Sequence, residues 1–368
     1  MKKILPITLK TSIISECWTF YRLAIVESCD HLKPWLHNRF HNIYINRFYE
    51  LLFGQSGQIY NHLQYYRDVL TTKEKPLHEI EGTEDIICFI KEQINKENYL
   101  LMQLDSGVLM NRPTYFMGML IYGYDDDKKE IYILRSVEGE FKELKFCYSK
   151  IIKSFCNVRK HFTNLEKYPL ELVRMNYIIT KFSVKKEVDF NTDLSTFYQD
   201  VCYHILADNR VKTFEAEKGL KPDVKYWDGM LGCHFGMVDL IDKMQSNHED
   251  MKWVGVTLSL NIKKIHEHFV MYINKMQFFD ELYGLEIGEA LFGDAQRCAK
   301  KLEICYLLAF KYEQSKQDEI LPKLKSKLLK IYSDKKQFLL SLKKLVENHD
   351  WRKRELLKIQ NLKEGAVK

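Results

Sequence analysis

The spacing of apolar and polar residues predicts helices and strands in the first part of the chain and helices alone in the second. Residues 17–28, which begin Cys-Trp-Thr-Phe-Tyr-Arg, predict a buried helix with Ser15 as its N-cap. A second helix is predicted over 84–95, because its isoleucines recur on one face and Thr83 precedes it as a cap. Strands follow this second helix.

Three apolar runs predict the long strands of the first part: Tyr99–Leu104, Gly118–Tyr124 and Glu130–Leu134. The first two runs are almost unbroken, which is typical of strands that are buried on both faces. The residues Asp125-Asp126-Asp127-Lys128 predict a tight hairpin turn between the second and third strands. Shorter strands are predicted within 42–46 and 173–182.

From about residue 192 onward the apolar residues follow helical spacing, first in 194–205 and then in 238–244. A long apolar stripe near the end of the chain consists of Leu321, Leu324, Leu328, Ile331, Phe338, Leu342 and Leu345. This pattern predicts an antiparallel helical domain. We therefore expect an α+β chain with one domain at 1–165, a connecting segment at 166–190 and an α-helical domain at 191–368.

The composition is that of an ordinary globular protein, with 46% apolar and 29% charged residues. No window approaches 18 uninterrupted apolar residues, so we expect no membrane association. Pro6, Thr8 and Lys10 interrupt the beginning of the chain, which argues against a secretory signal. Nine cysteines without regular spacing or a CxxC pair favour a reducing cytoplasm over disulfides or structural zinc.

Positive charge is concentrated at the end of the chain. Residues 316–368 hold 15 Lys/Arg and 7 Asp/Glu, whereas the whole chain has a net charge of +6. This segment is either the solvated face of a helix or a basic surface for an acidic partner. No basic-aromatic pattern indicates a nucleic-acid partner.

Cys17 is the first candidate for chemistry, because it stands at the predicted start of a helix. Unpaired backbone amides at that position stabilise a thiolate. The alternative is a buried structural thiol, since cysteine is among the most buried residue types. The other cysteines, apart from Cys233, are predicted to lie in the core: Cys29, Cys88, Cys147, Cys156, Cys202, Cys298 and Cys305.

Three further polar groups favour structural roles. Cys233 and His234 are adjacent, so their side chains diverge, and the glycines around them favour a closely packed helix start. His266 and His268 flank Glu267 at a spacing of two, which is not the spacing of a helical metal site and predicts a solvated helix face. The aspartates 125–127 lack the glycine and distal glutamate of a calcium loop. No metal site is therefore expected.

Several segments together resemble a known family, the N-terminal domain of butirosin biosynthesis protein H. They are Leu5-Pro-Ile7, Cys17, Lys33-Pro-Trp-Leu36, Tyr99–Asp105, Tyr115–Asp127 and Ile131–Leu134. That domain is similar to the papain-like cysteine peptidases that process bacteriocin leaders. The resemblance covers about residues 1–160, and 259–268 loosely resembles the C-terminal region of the same group.

The resemblance implies a papain-like fold and a role in carrier-protein-based nonribosomal biosynthesis of natural products such as antibiotics. Members take an acyl group from a phosphopantetheine thioester on an acyl or peptidyl carrier protein. A small amine or a peptide then accepts the group, and no cofactor beyond the partner's phosphopantetheine is implied. The resemblance implies covalent catalysis by a cysteine, and Cys17 is the matching residue in this chain.

Two positions depart from the family pattern. Met117 stands where the family has its histidine, and Arg135 stands where it has the orienting aspartate. Thr11 occupies the position of the oxyanion glutamine of papain-like enzymes. A base would have to come from another histidine, and the candidates are His31, His37, His41, His62 and His161.

Two hypotheses follow. In the first, the protein is a thiol-dependent acyltransferase or condensing enzyme with Cys17 as nucleophile and an unusual base. In the second, it is a catalytically inactive homologue that binds a carrier protein or peptide as a partner or scaffold. Hydrolysis of a carrier-bound intermediate is a third possibility and needs the same base. Under the first, Tyr115, Tyr122 and Met117 are predicted to line a groove for an apolar acyl chain.

Overall fold

A computed structural model describes residues 1–39, 43–45, 51–53, 66–80, 82, 85–137, 139–162, 178–188, 193–206, 227–246 and 255–349. Over these ranges the chain is α+β. It divides into two compact units, one formed by 1–33 with 62–190 and the other by 34–61 with 191–368. The predicted domain limits stay a prediction, and the segment 34–61 clusters here with the helical residues. None of the described helices has the length and apolar character needed to cross a bilayer.

The strands, in chain order, are β1 (Lys2–Ile4), β2 (Ile43–Ile45), β3 (Leu51–Phe53), β4 (Leu70–Pro76), β5 (Tyr99–Asp105), β6 (Phe116–Asp125), β7 (Glu130–Val137), β8 (Glu140–Cys147), β9 (Ile178–Val184) and β10 (Trp227–Asp228). The helices are α1 (Cys17–Val26), α2 (Lys33–Arg39), α3 (Asp85–Asn95), α4 (Ser106–Met110), α5 (Tyr148–Phe162), α6 (Leu194–Leu206), α7 (Gly229–Ser246), α8 (Gly255–Tyr283), α9 (Glu289–Ser315) and α10 (Ile320–Asn348). Short 3₁₀ helices cover Asp30–Leu32 and Leu77–Glu79.

The first unit is built on an antiparallel sheet of seven strands. Six of them run in the order β4-β9-β5-β6-β7-β8, and β1 pairs with the far end of β6. The three long predicted strands are confirmed as β5, β6 and β7. The predicted hairpin turn is also confirmed, since β6 and β7 pair through Asp125 and Glu130 around it.

Burial explains why the middle of this sheet was predictable. Every residue of β5 is buried, and α3 and α5 both pack on the sheet. Asp105 ends β5 and caps α4, because its carboxylate accepts hydrogen bonds from Gly107 N at 2.8 Å and Val108 N at 3.3 Å. By contrast, β8 has an alternating and mostly exposed pattern, so its apolar signal is weak.

The second unit combines the helices α6 to α10 with the three-stranded sheet β10-β2-β3. Short connections join α8 to α9 and α9 to α10, so these neighbours run antiparallel. Two buried polar side chains of α8 attach it to β3. Asn261 Oδ1 accepts from Leu51 N at 3.0 Å, and Lys264 Nζ donates to Leu51 O at 2.7 Å.

The apolar stripe predicted near the end of the chain is the buried face of α10. It is confirmed at Leu321, Leu324, Leu328, Ile331, Phe338 and Leu342, whereas Leu345 is half-buried. Lys335 lies between Ile331 and Phe338 in the same stripe and is also fully buried, although its side chain is charged. The end of the basic segment, from residue 350 onward, lies outside the described residues.

Candidate functional site

Cys17 is the first residue of α1, as predicted, and its side chain is half-buried. The predicted cap is wrong, because the N-cap is Glu16 rather than Ser15, and Phe20 N donates to Glu16 O at 2.8 Å. The first backbone amides of α1 have no earlier helical carbonyl to pair with. Cys17 therefore stands where a helix end favours negative charge on a thiol.

The start of α1 packs against β6 at Gly118. A β-carbon at Gly118 would lie 3.7 Å from the Trp18 ring, and the Tyr21 hydroxyl donates to Gly118 O at 2.8 Å. One residue earlier on the helix, Phe20 stacks on Phe141 of β8 with ring centroids 3.5 Å apart. These contacts hold the first turn of α1 beside the strands of the β6–β7 hairpin.

Met117 and Arg135 occupy these strands but cannot perform the roles of a histidine and an aspartate. Met117 is half-buried on β6 and pairs in register with Leu104. Arg135 is buried on β7, where Nη1 donates to Ser106 Oγ at 2.6 Å and Nε donates to the carbonyl of Ser136 at 3.0 Å. Neither side chain accepts a proton at neutral pH.

Tyr21 links the thiol to the guanidinium electrostatically. Burial raises the pKa of Tyr21 far above its usual value; the Cys17 thiol acts in the same direction and the Arg135 charge opposes it. Burial also lowers the pKa of Arg135, although Tyr21 opposes this shift. Cys17 and Arg135 thus both act on the Tyr21 hydroxyl, a link that sequence spacing alone did not indicate.

The two tyrosines predicted to line a groove have different environments. Tyr115 is 60% exposed and contributes to the electrostatic surroundings of Arg135. Tyr122 is buried, and its hydroxyl donates to the carboxylate of Glu143 at 2.7 Å. Tyr115 therefore offers an accessible aromatic surface, whereas most of the Tyr122 ring is taken up by packing within the unit.

Two polar residues near this site were missed by the sequence analysis. Gln103 of β5 is buried, and its amide nitrogen would lie 3.7 Å from a β-carbon at Gly118. Ser106 holds the Arg135 guanidinium, as described above. The available signal for Gln103 was a single amide within an apolar run that is otherwise typical of a fully buried strand.

The histidines considered as a base are scattered. His161 at the end of α5 is exposed and packs on Phe116, the first residue of β6, with ring centroids 4.6 Å apart. His31 is exposed and hydrogen-bonds to the carbonyl of Lys185 at 3.1 Å. His37 belongs to the second unit, and His41 and His62 lie outside the described residues. His161 is therefore the candidate that borders the strand carrying Met117.

The remaining predictions for histidines and cysteines have different outcomes. Cys233 and His234 are buried near the start of α7, as the surrounding glycines indicated. The solvated face predicted for His266 and His268 is wrong, because His268 and Glu267 are buried and His266 is half-buried. The predicted burial of Cys88 and Cys147 is also wrong, since both thiols are exposed. Among the described residues, no cluster of His, Cys, Asp or Glu is arranged to hold a metal ion.

The exposed thiol of Cys147 is chemically distinct from that of Cys88. Its sulfur lies 3.2 Å from Ser149 Oγ, and this hydrogen bond lowers the pKa of Cys147. Any chemical test of Cys17 must therefore account for Cys147.

Comparison with known proteins does not assign the site around Cys17, because no protein-family model matches the chain and no curated protein matches it significantly.

Proposed function

We propose that the first unit is a papain-like module that transfers acyl groups through the thiol of Cys17. The observation that supports this most directly is the position of Cys17, which is half-buried at the start of α1 and acts electrostatically on the Tyr21 hydroxyl. Helix-terminal amides favour a thiolate at this position. The α+β architecture, with α1 beside the β6–β7 hairpin, is compatible with a papain-like half.

The proposed acyl donor, a thioester on a carrier protein, follows from the resemblance to the N-terminal domain of butirosin biosynthesis protein H. The Cys17 sulfur attacks the carbonyl carbon of a phosphopantetheine thioester on a carrier protein, and the carbon–sulfur bond to pantetheine breaks. The released pantetheine sulfur takes the proton that Cys17 has lost. An amine nitrogen then attacks the acyl-cysteine carbon, loses a proton, and restores the Cys17 thiol as the amide forms.

The second step needs a proton acceptor. His161 is the proposed base, because it is exposed and its ring lies on Phe116, the residue before Met117. Arg135 cannot accept a proton, and its guanidinium is held by Ser106 and by the carbonyl of Ser136. The exposed Tyr115 is the proposed contact for the acyl chain.

A specific observation favours a second candidate function, a noncatalytic partner that binds a carrier protein or peptide. Arg135 replaces the orienting aspartate, and its guanidinium is occupied by hydrogen bonds to Ser106 and to the backbone. Together with Met117 this leaves neither expected triad partner for Cys17. In this reading the site retains its shape and binds an acyl group or peptide without transferring it.

Intact-protein mass spectrometry distinguishes the two functions. The wild-type chain is mixed with acyl-loaded carrier protein, and the mass gained by each protein is measured. Acyl transfer predicts one adduct on the wild type that is absent from Cys17→Ala and accumulates in His161→Gln when an amine is supplied. Carrier binding without any adduct supports the noncatalytic partner instead.

The control variants are Cys147→Ala and Cys88→Ala, because both thiols are exposed and the pKa of Cys147 is lowered. Specific transfer predicts that these variants still gain the full adduct. An adduct that disappears in Cys147→Ala but persists in Cys17→Ala would show simple surface acylation and contradict the proposal.

A further inference from the structure

The first unit contains a polar cavity of about 400 Å³ at one edge of its sheet. The lining consists of four side chains from the edge strand β4 and its neighbour β9, and four from α3 and the turn that follows it. This volume is within the range of small-molecule sites. All of the described residues that line the cavity are polar or charged.

The cavity is separate from the site around Cys17. Successive side chains of a strand point to opposite faces of the sheet, so Lys181 and Ser183 of β9 share one face and Phe182 lies on the other. The Phe182 ring centroid lies 5.1 Å from the guanidinium carbon of Arg22, a residue of α1. Lys181 and Ser183 line the cavity, which therefore lies on the face of the sheet turned away from α1.

Two lysines stand directly opposite each other along one side of the cavity. Lys73 of β4 pairs in register with Lys181 of β9, and Thr71 pairs with Ser183 on the same face. Side chains in such positions have β-carbons about 4.5–5.5 Å apart, so like charges there destabilise the sheet. Within the described part of the chain, neither ammonium group has a hydrogen bond or a carboxylate partner. The two charges therefore repel each other.

Another cross-strand pair of cations in the same sheet shows how such charges are otherwise offset. Arg135 of β7 pairs in register with Lys142 of β8. Lys142 Nζ lies 3.2 Å from Glu140 Oε2, and Arg135 donates to Ser106 and to the carbonyl of Ser136. Both cations of that pair have acceptors in the protein. The pair in the cavity differs from it in having none among the described residues.

The helix side of the cavity adds one carboxylate and two amides. Glu92 forms an ion pair with Lys96, which is the main cause of the lowered pKa of Glu92, and Lys181 contributes to the same shift. Gln93 is buried, and its side-chain oxygen accepts from Asn98 Nδ2 at 3.0 Å, so both amides have fixed positions. Three lysines and one glutamate give the lining a net charge of +2.

We propose that this cavity binds a small phosphorylated sugar or polyol, with its phosphate between Lys73 and Lys181. Lysine is a common phosphate ligand in proteins, and a dianion would replace the repulsion between the two ammonium groups with two attractions. The hydroxyls of Thr71 and Ser183 share this face and can donate to phosphate or sugar oxygens. Because the described lining has no aromatic ring, a hydroxylated body suits it better than a nucleobase. Binding is noncovalent and independent of the function proposed for Cys17.

The test is isothermal titration calorimetry on the full-length protein at low ionic strength and about pH 8, where a phosphate monoester is a dianion. The probe is glucose 6-phosphate, and glucose and inorganic phosphate represent its two parts. We expect one molecule of glucose 6-phosphate to bind per chain, at least about tenfold more tightly than inorganic phosphate, and glucose not to bind. Lys73→Gln and Lys181→Gln should each weaken binding at least about tenfold, because each removes a charged hydrogen-bond donor.

Lys145→Gln is the matched control, because Lys145 is exposed on β8 at the other edge of the same sheet and carries the same charge. Unchanged binding in this variant supports the proposal. Equal weakening in all three variants overturns it, since that would report a general attraction of anions to a basic protein. Inorganic phosphate that binds as tightly as glucose 6-phosphate also overturns it. A complete lack of binding does so too, and the lysines would then serve only to keep the edge strand β4 from pairing with another chain.

Thermal denaturation separates loss of binding from loss of folding. Because Lys73 and Lys181 repel each other, replacing either one should leave the melting temperature unchanged or raise it. Saturating glucose 6-phosphate should raise the melting temperature of the wild type and of Lys145→Gln, and should have little effect on the two cavity variants. A wild-type melting temperature that does not respond to glucose 6-phosphate would contradict the proposed site.

Discussion

Replacing Lys335 by methionine is expected to stabilise the second, helical unit, although it removes a charged residue. The side chain is fully buried, and its Nζ faces the Phe269 ring and has no hydrogen-bond partner among the residues that the structure describes. Methionine keeps an unbranched side chain of similar length, so it fills the same space without a polar end. The substitution therefore removes an unfavourable group and preserves the packing around it.

The lowered pKa of the Lys335 amine sets the size of the expected gain in stability. Burial lowers the pKa of Lys335 from 10.5 to about 7, against the opposing effect of Cys298 and Cys233. At about 1.4 kcal/mol for each pKa unit, discharging this amine during folding at neutral pH costs about 5 kcal/mol. The lost contact between the ammonium and the Phe269 ring offsets about 1–2 kcal/mol of the gain. We expect the free energy of unfolding to rise by about 3–4 kcal/mol.

The same amine predicts a pH dependence with a definite sign. Its folded pKa lies below its unfolded value, so the folded state binds fewer protons between about pH 7 and pH 10.5 and stability rises with pH across this window. Below about pH 7 the Lys335 amine is protonated in both the folded and the unfolded state, and the full cost of burying it in the folded state remains. Lys335→Met lacks this contribution, so its advantage over the wild type is expected to shrink by about 2 kcal/mol between pH 7 and pH 9.

Hydrogen exchange read by mass spectrometry is the appropriate assay, because a chain with two compact units need not unfold in one step. Peptides from α8 and α10 report the local free energy of opening. Lys330→Met is the control, since Lys330 is exposed on the same helix and its removal should change little. Faster exchange in Lys335→Met, or an unchanged difference from the wild type across pH, would refute the reasoning.

Three further changes test other parts of the structure. Lys264→Met should destabilise the helical unit by about 1–3 kcal/mol, the opposite of Lys335→Met, because it removes a donor to the carbonyl of Leu51. Gly123→Ala should weaken the pairing of β1 by about 1–3 kcal/mol, since the new β-carbon would lie 2.9 Å from the carbonyl of Lys3. Asp105→Ala should cost about 2–4 kcal/mol, because its carboxylate accepts four hydrogen bonds. These hydrogen bonds outweigh burial and lower the pKa of Asp105, so its contribution is present above about pH 4 and is lost as pH falls through the lowered value.

Thermal denaturation and hydrogen exchange would check each of these expectations. Equal effects of Lys264→Met and Lys335→Met would show that a carbonyl partner does not distinguish the two lysines. Gly118→Ala is the control for Gly123→Ala, because its β-carbon would make only ordinary contacts at 3.7 Å. An acid transition that is unchanged in Asp105→Ala would contradict the assigned role of that carboxylate.

Periodicity predicted the elements that are buried continuously or on one clear face. The strands β5, β6 and β7 and the stripe of α10 were predicted for this reason. The strands β1, β4 and β8 were missed, because their burial patterns are short or largely exposed and give little local signal. Polar residues on buried faces were also misjudged, as His268 and Glu267 show.

The sequence by itself determined the local elements, the position of Cys17 at a helix start and the presence of a lysine within an apolar stripe. Only the tertiary structure decided that Arg135 joins Tyr21 and Ser106, and that Lys335 meets Phe269 instead of solvent or a carboxylate. The physical reason is that periodicity reports which residues share one face of an element. Which faces then meet is decided by pairings between distant parts of the chain, and those pairings set the charge and chemistry around Arg135 and Lys335.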